Sequence, residues 1–213
     1  MMEWVKSRIT WGFLLIAGGV LALLVNTGLI ADSAWIWAGI FLAAGLYFLF
    51  AFLRSADNWW AAFPAFGALG IAATILTTEL TTLPDELAGA VFLGLVSLAF
   101  FAIYLRRRDN WWALIPAGAI LTIAGVVLVS AFESALPGNP VPLVLFGGLG
   151  ATFLLIAFTR AQGGRNRWAI APALVLFAIA GATGIAFFDL GGFVLPVILI
   201  GTGAVIILRS LRR

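Results

Sequence analysis

Residues 106–132 read RRRDNWWALIPAGAILTIAGVVLVSAF. Three arginines and an aspartate come first, then Asn110-Trp111-Trp112, then twenty residues without a charge. A membrane-crossing helix needs about 20 mostly apolar residues. A membrane strand would be shorter and would alternate, which this run does not do. The stretch therefore predicts a transmembrane helix that starts just after a basic, aromatic boundary.

The rest of the chain follows suit. Of its 213 residues, 63% are hydrophobic and 10% charged, and the mean hydropathy is +1.14. A soluble domain carries roughly 25% charged residues, so this chain cannot coat a water-facing surface, and intrinsic disorder is excluded on the same ground. Eight spans are expected: Trp11–Ile30, Ala34–Leu53, Trp60–Thr78, Leu87–Leu105, Trp111–Phe132, Val141–Phe158, Trp168–Phe188 and Phe193–Leu208. The first follows Lys6 and Arg8 like a signal peptide, but its apolar run exceeds the usual 7–15 residues. The predicted fold class is all-α: a polytopic integral membrane protein.

Charge orders these spans. With eight crossings, all twelve basic residues fall on one side together with Glu3, Asp57 and Asp109, for a net +9. The other side holds Asp32, Glu79, Asp85, Glu86, Glu133 and Asp189, for −6. Positive loops stay in the cytoplasm, so both termini are expected inside, in a bacterial inner membrane. Trp11, Trp59, Trp60, Trp111, Trp112 and Trp168 sit at the basic boundary as interfacial anchors, since indole joins an apolar body to a polar N–H. Arg106, Arg107 and Arg108 are expected to meet anionic lipid headgroups, making the bilayer itself the first partner.

The sequence also repeats. Asp57-Asn58-Trp59-Trp60 recurs as Asp109-Asn110-Trp111-Trp112, and more weakly as Arg165-Asn166-Arg167-Trp168. Pro64, Pro116 and Pro172 each lie four residues after the last tryptophan, and Arg54, Arg106, Arg160 and Arg209 close the four units. The implied organisation is one membrane domain of four tandem helical hairpins. A basic arm, 1–10, precedes hairpins over 11–54, 55–108, 109–164 and 165–213. All would enter and leave on the same side, as parallel repeats. The prolines read as first-turn residues, where a missing N–H costs little. Asn58, Asn110 and Asn166 read as helix N-caps. Gly163-Gly164 reads as a flexible connection.

Lipid supplies little hydrophobic drive between helices, so close packing of small residues must hold them. The pairs Ala90/Gly94, Gly118/Thr122, Gly147/Ala151, Gly148/Thr152 and Ala180/Gly184 have that spacing. They read first as contacts within the chain, and otherwise as a face for a homo-oligomer or another membrane protein, or as a pore lining.

Chemistry is sparse. There is no Cys and no His. Disulfides, thiolate nucleophiles, His-ligated haem and Ser-His-Asp machinery are thereby excluded, and no catalytic residue, cofactor or metal is expected. No basic face with exposed aromatics on a soluble fold suggests nucleic acid. The outer acids Asp32, Glu79, Glu133 and Asp189 read as solvated tips of the hairpins, or else as a ring that gathers cations. Thr and Ser hydroxyls within spans can bond back to the carbonyl four residues earlier.

The stretch from Trp11-Gly12-Phe13-Leu14 through Val25-Asn26-Thr27-Gly28-Leu29-Ile30, followed by a second span, resembles the transmembrane module of LiaI/LiaF-type bacterial cell-envelope stress proteins. The Trp-Trp, glycine-rich hairpins are more loosely similar to HdeD-like acid-resistance membrane proteins. That resemblance implies a non-enzymatic envelope or stress-associated component, or a scaffold acting through helix packing. The alternative is a small-solute or cation transporter with its path along a pseudo-four-fold axis.

Overall fold

A computed structural model describes residues 33–82, 84–136, 138–161 and 164–188, with scattered positions within 12–27 and 192–202. The expected spans Trp11–Ile30 and Phe193–Leu208 lie for the most part outside the described residues, as do Trp11, Asp32 and Asp189. Between residues 33 and 188 six helices follow one another: α1 Ser33–Arg54, α2 Ala62–Leu80, α3 Asp85–Arg106, α4 Leu114–Ser130, α5 Val141–Phe158 and α6 Ile170–Phe187. Together with the short turns that lead into α2, α4 and α6, each is long and apolar enough to cross a membrane. From 17% to 33% of the positions in each span are buried within the chain. Large apolar side chains such as Phe50, Leu53 and Leu174 lie mostly exposed. Such a surface suits hydrocarbon and not water.

Consecutive helices pack antiparallel. Gly45 on α1 meets Leu69 on α2, and Gly70 on α2 meets Phe92 on α3. Gly89 on α3 faces Val127 on α4, and Gly150 on α5 meets Phe177 on α6. Among the described residues, extensive packing between helices runs only from each to the next. The alternation carries Arg54, Arg106, Arg107, Arg108, Arg160, Arg165 and Arg167 to one end, in the α1–α2, α3–α4 and α5–α6 links. Glu79, Asp85, Glu86 and Glu133 lie at the other end.

The basic end is built the same way three times. A 3-10 turn (Ala56–Ala61, Trp111–Ala113, Arg167–Ala169) hands over to an α-helix whose third residue is proline: Pro64, Pro116 or Pro172. The first N–H groups of a helix have no intrahelical partner, so proline there removes nothing and bends nothing. Two alanines flank this step in each copy. Ala61 and Ala65, Ala113 and Ala117, and Ala169 and Ala173 are all buried. Their methyl side chains let each helix start close against its neighbours. Two apolar clusters gather here, one around Phe52, Ala62, Ala99 and Ile103, the other around Leu114, Ile156 and Ala157.

The asparagines do not act as N-caps. Asn110 and Asn166 stand at the N-cap position without a side-chain capping bond, and Ser55 caps the turn that contains Asn58. Two of the three instead reach back seven residues. Asn58 Nδ2 donates to the Ala51 carbonyl and Asn166 Nδ2 to Thr159 Oγ1, each at 3.0 Å. The preceding helix ends with unpaired carbonyls, and an amide offers two donors to that region. Of the Gly163-Gly164 connection in the α5–α6 link, Gly163 lies outside the described residues. Arg160–Ala161 pairs antiparallel with Gly164–Arg165, and Gly164 takes a φ of +145°, which favours glycine.

Candidate functional site

Among the described glycines, the tightest contact with a neighbouring helix lies between α4 and α5. Gly118 and Thr122 are one turn apart on α4, as are Gly148 and Thr152 on α5. Antiparallel packing sets Gly118 against Thr152 and Gly148 against Thr122. A β-carbon at Gly118 would fall 2.7 Å from Thr152 Cβ, and one at Gly148 3.1 Å from Thr122 Cβ. Only glycine fits without moving a helix. Each threonine hydroxyl donates to the glycine carbonyl of its own helix: Thr122 to Gly118 at 2.8 Å and Thr152 to Gly148 at 2.9 Å. Both hydroxyl protons are therefore committed within the clasp.

Beside this clasp runs a cleft of about 330 Å³, lined by Phe101 of α3, Leu121 and Gly125 of α4, and Val144, Gly148 and Leu155 of α5 among others. Its walls are almost wholly apolar. Leu121 and Leu155 are exposed, so the cleft opens sideways, toward where lipid would lie. At the basic end of the same helices, the three arginines part company. The Arg106 guanidinium lies 4.9 Å from the Phe52 ring, and its Nη2 donates to the Leu53 carbonyl at 2.9 Å, closing the end of α1. Arg107 Nη2 sits 3.8 Å from Asp57 Oδ1 in an exposed pair. Arg108 lies over the Tyr104 ring at 4.7 Å, and among the described residues it has no ion pair.

The remaining hydroxyls within α2–α6 are also engaged. Ser97, buried on α3, donates across to the Ala117 carbonyl of α4 at 2.8 Å. Thr74 donates to Gly70 of its own helix and, more weakly, to Ala88 of α3. Thr77, Thr78, Ser130 and Thr183 bond back within their own helices. The in-span serines and threonines pointed to backbone bonding, but nothing in their spacing singled out Ser97 as a bridge between helices.

Two of the four outer acids, Glu79 and Glu133, lie on described elements. Glu79 is exposed on the last turn of α2, and Glu133 opens the 3-10 turn Glu133–Ala135 between α4 and α5. Among the described residues no three acids lie close enough to hold a metal ion. Trp59, Trp60, Trp112 and Trp168 are exposed in the turns at the basic end, and Trp111 is half-buried beside Trp168, their ring centroids 6.3 Å apart.

These features define an all-α protein with membrane-type helices, an apolar lateral cleft and a basic rim. No family model, curated protein or solved structure matches the chain.

Proposed function

We propose that the chain is a bacterial multi-pass inner-membrane protein of eight spans in four tandem hairpins, with both termini cytoplasmic. In this reading it has no catalytic role and acts as an envelope or stress-associated scaffold through helix packing, akin to the LiaI/LiaF-type module and more distantly to HdeD-like proteins. The observation that carries the proposal is the internal use of the in-span hydroxyls. Every Ser or Thr within α2–α6 bonds to a backbone carbonyl of its own or the next helix. A path for ions needs polar groups turned to a lumen, whereas packing needs these groups satisfied and small residues at the contacts.

Reconstitution tests this against the transporter reading. Proteoliposomes loaded with potassium or sodium should leak no faster than protein-free vesicles. A flux that Glu79→Ala or Glu133→Ala abolishes would overturn the proposal. A photo-crosslinker at the exposed Leu46 or Phe50 of α1 should give discrete adducts with a membrane protein or a second copy in cells. Adducts with lipid alone would count against a scaffold.

A further inference from the structure

We infer that the α4–α5 cleft and Arg108 form one site for an anionic phospholipid, with an acyl chain in the cleft and the phosphate at the guanidinium. The cleft is apolar, opens sideways past Leu121 and Leu155, and has a volume of about 330 Å³. That is roughly twice the ~150 Å³ of an engineered apolar cavity that binds benzene. Water finds few partners there, because the lining is almost wholly apolar and the Thr122 and Thr152 hydroxyls already donate to Gly118 and Gly148. In a bilayer, the occupant with the matching chemistry is a lipid chain.

The choice of headgroup comes from the rim. Phe101 lines the cleft, and Phe101 and Tyr104 pack against the same cluster of Leu114, Ile156 and Ala157. Arg108 lies over Tyr104, so its charge stands at the basic end of that one face of α3. Its neighbours have other tasks: Arg106 closes α1, and Arg107 faces Asp57. Arg108 is the exposed cation of the three without a carboxylate among the described residues, and a phosphate suits it.

Native mass spectrometry of the full chain, extracted from vesicles of palmitoyl-oleoyl phosphatidylglycerol and phosphatidylcholine in equal parts, tests the inference. The wild type should retain one phosphatidylglycerol in preference to phosphatidylcholine. Arg108→Gln should lower that preference about fivefold while a lipid stays bound. Leu121→Trp fills the cleft from its exposed edge and should remove the retained lipid of either kind. Gly125→Leu does the same from one turn further along α4 and guards against a folding defect in one variant. Retention by both cleft-filling variants equal to wild type would overturn the site. An unchanged headgroup preference in Arg108→Gln would overturn the role of Arg108.

Discussion

Adding one carbon at Gly118 tests the helix clasp. In Gly118→Ala the new Cβ would lie 2.7 Å from Thr152 Cβ. Both atoms are fixed to backbone, so no rotamer change relieves the contact and α4 must move from α5. Overpacking of this kind costs about 1–3 kcal/mol. Alanine in place of glycine within a helix returns roughly 0.5–1 kcal/mol. The net expectation is a loss of about 1–2 kcal/mol. Gly67 on α2 and Gly94 on α3 are internal controls, because a β-carbon there meets nothing within 4 Å. Gly67→Ala and Gly94→Ala should therefore gain roughly 0.5–1 kcal/mol. Reversible unfolding in mixed micelles, titrated with dodecyl sulfate and followed by far-ultraviolet circular dichroism, measures all three. Thr152→Ala trims the side chain that Gly118→Ala strikes and should recover part of its loss, with a coupling above about 0.5 kcal/mol. If Gly118→Ala proved as stable as Gly94→Ala, the clasp would not exist as described.

Other substitutions probe the polar contacts. Ser97→Ala removes the bond to the Ala117 carbonyl and should cost about 0.6 kcal/mol, the usual worth of a hydrogen bond between membrane helices, by the same titration. Arg106→Gln should lose about 1 kcal/mol with its bond to the Leu53 carbonyl. Arg107→Gln should change stability by less than about 0.5 kcal/mol, because its pair with Asp57 is exposed and long. Asn166→Ala breaks a buried bond to Thr159 Oγ1, and amide hydrogen exchange should quicken across residues 159–166 without a matching change in α2 or α3.

The helices were legible because a bilayer demands unbroken apolar length. Val141–Phe158 matches the expected span at both ends. The α3 helix starts two residues earlier than Leu87, because Asp85 and Glu86 broke the apolar run yet favour a helix N-terminus electrostatically. At Trp111 and Trp168 the span begins as a 3-10 turn, a difference of hydrogen-bond register that composition does not encode. Asn58 and Asn166 were misread because local grammar favours an N-cap, whereas their acceptors are Ala51 in the last turn of the preceding helix and Thr159 just past the end of one.

The site was legible only in halves. Gly118/Thr122 and Gly148/Thr152 have the right spacing, but which glycine meets which threonine depends on antiparallel register. Ala90/Gly94 has the same spacing, and a β-carbon at Gly94 would still meet open space. The cleft has no sequence signature, since its lining comes from α3, α4 and α5 and meets only when those helices pack. The arginine triplet was visible as charge, but its division among α1, Asp57 and Tyr104 required the helix ends to be placed.

The chain has no cysteine, so single cysteines report topology directly. Ala56→Cys and Asp109→Cys mark the arginine-bearing links, and Thr82→Cys and Ser134→Cys mark the acidic ones. In intact bacterial cells, a membrane-impermeant maleimide should label Thr82→Cys and Ser134→Cys, and should reach Ala56→Cys and Asp109→Cys only after permeabilisation. Labelling of either arginine-side cysteine from outside would contradict the paired crossings on which the whole reading of this protein rests.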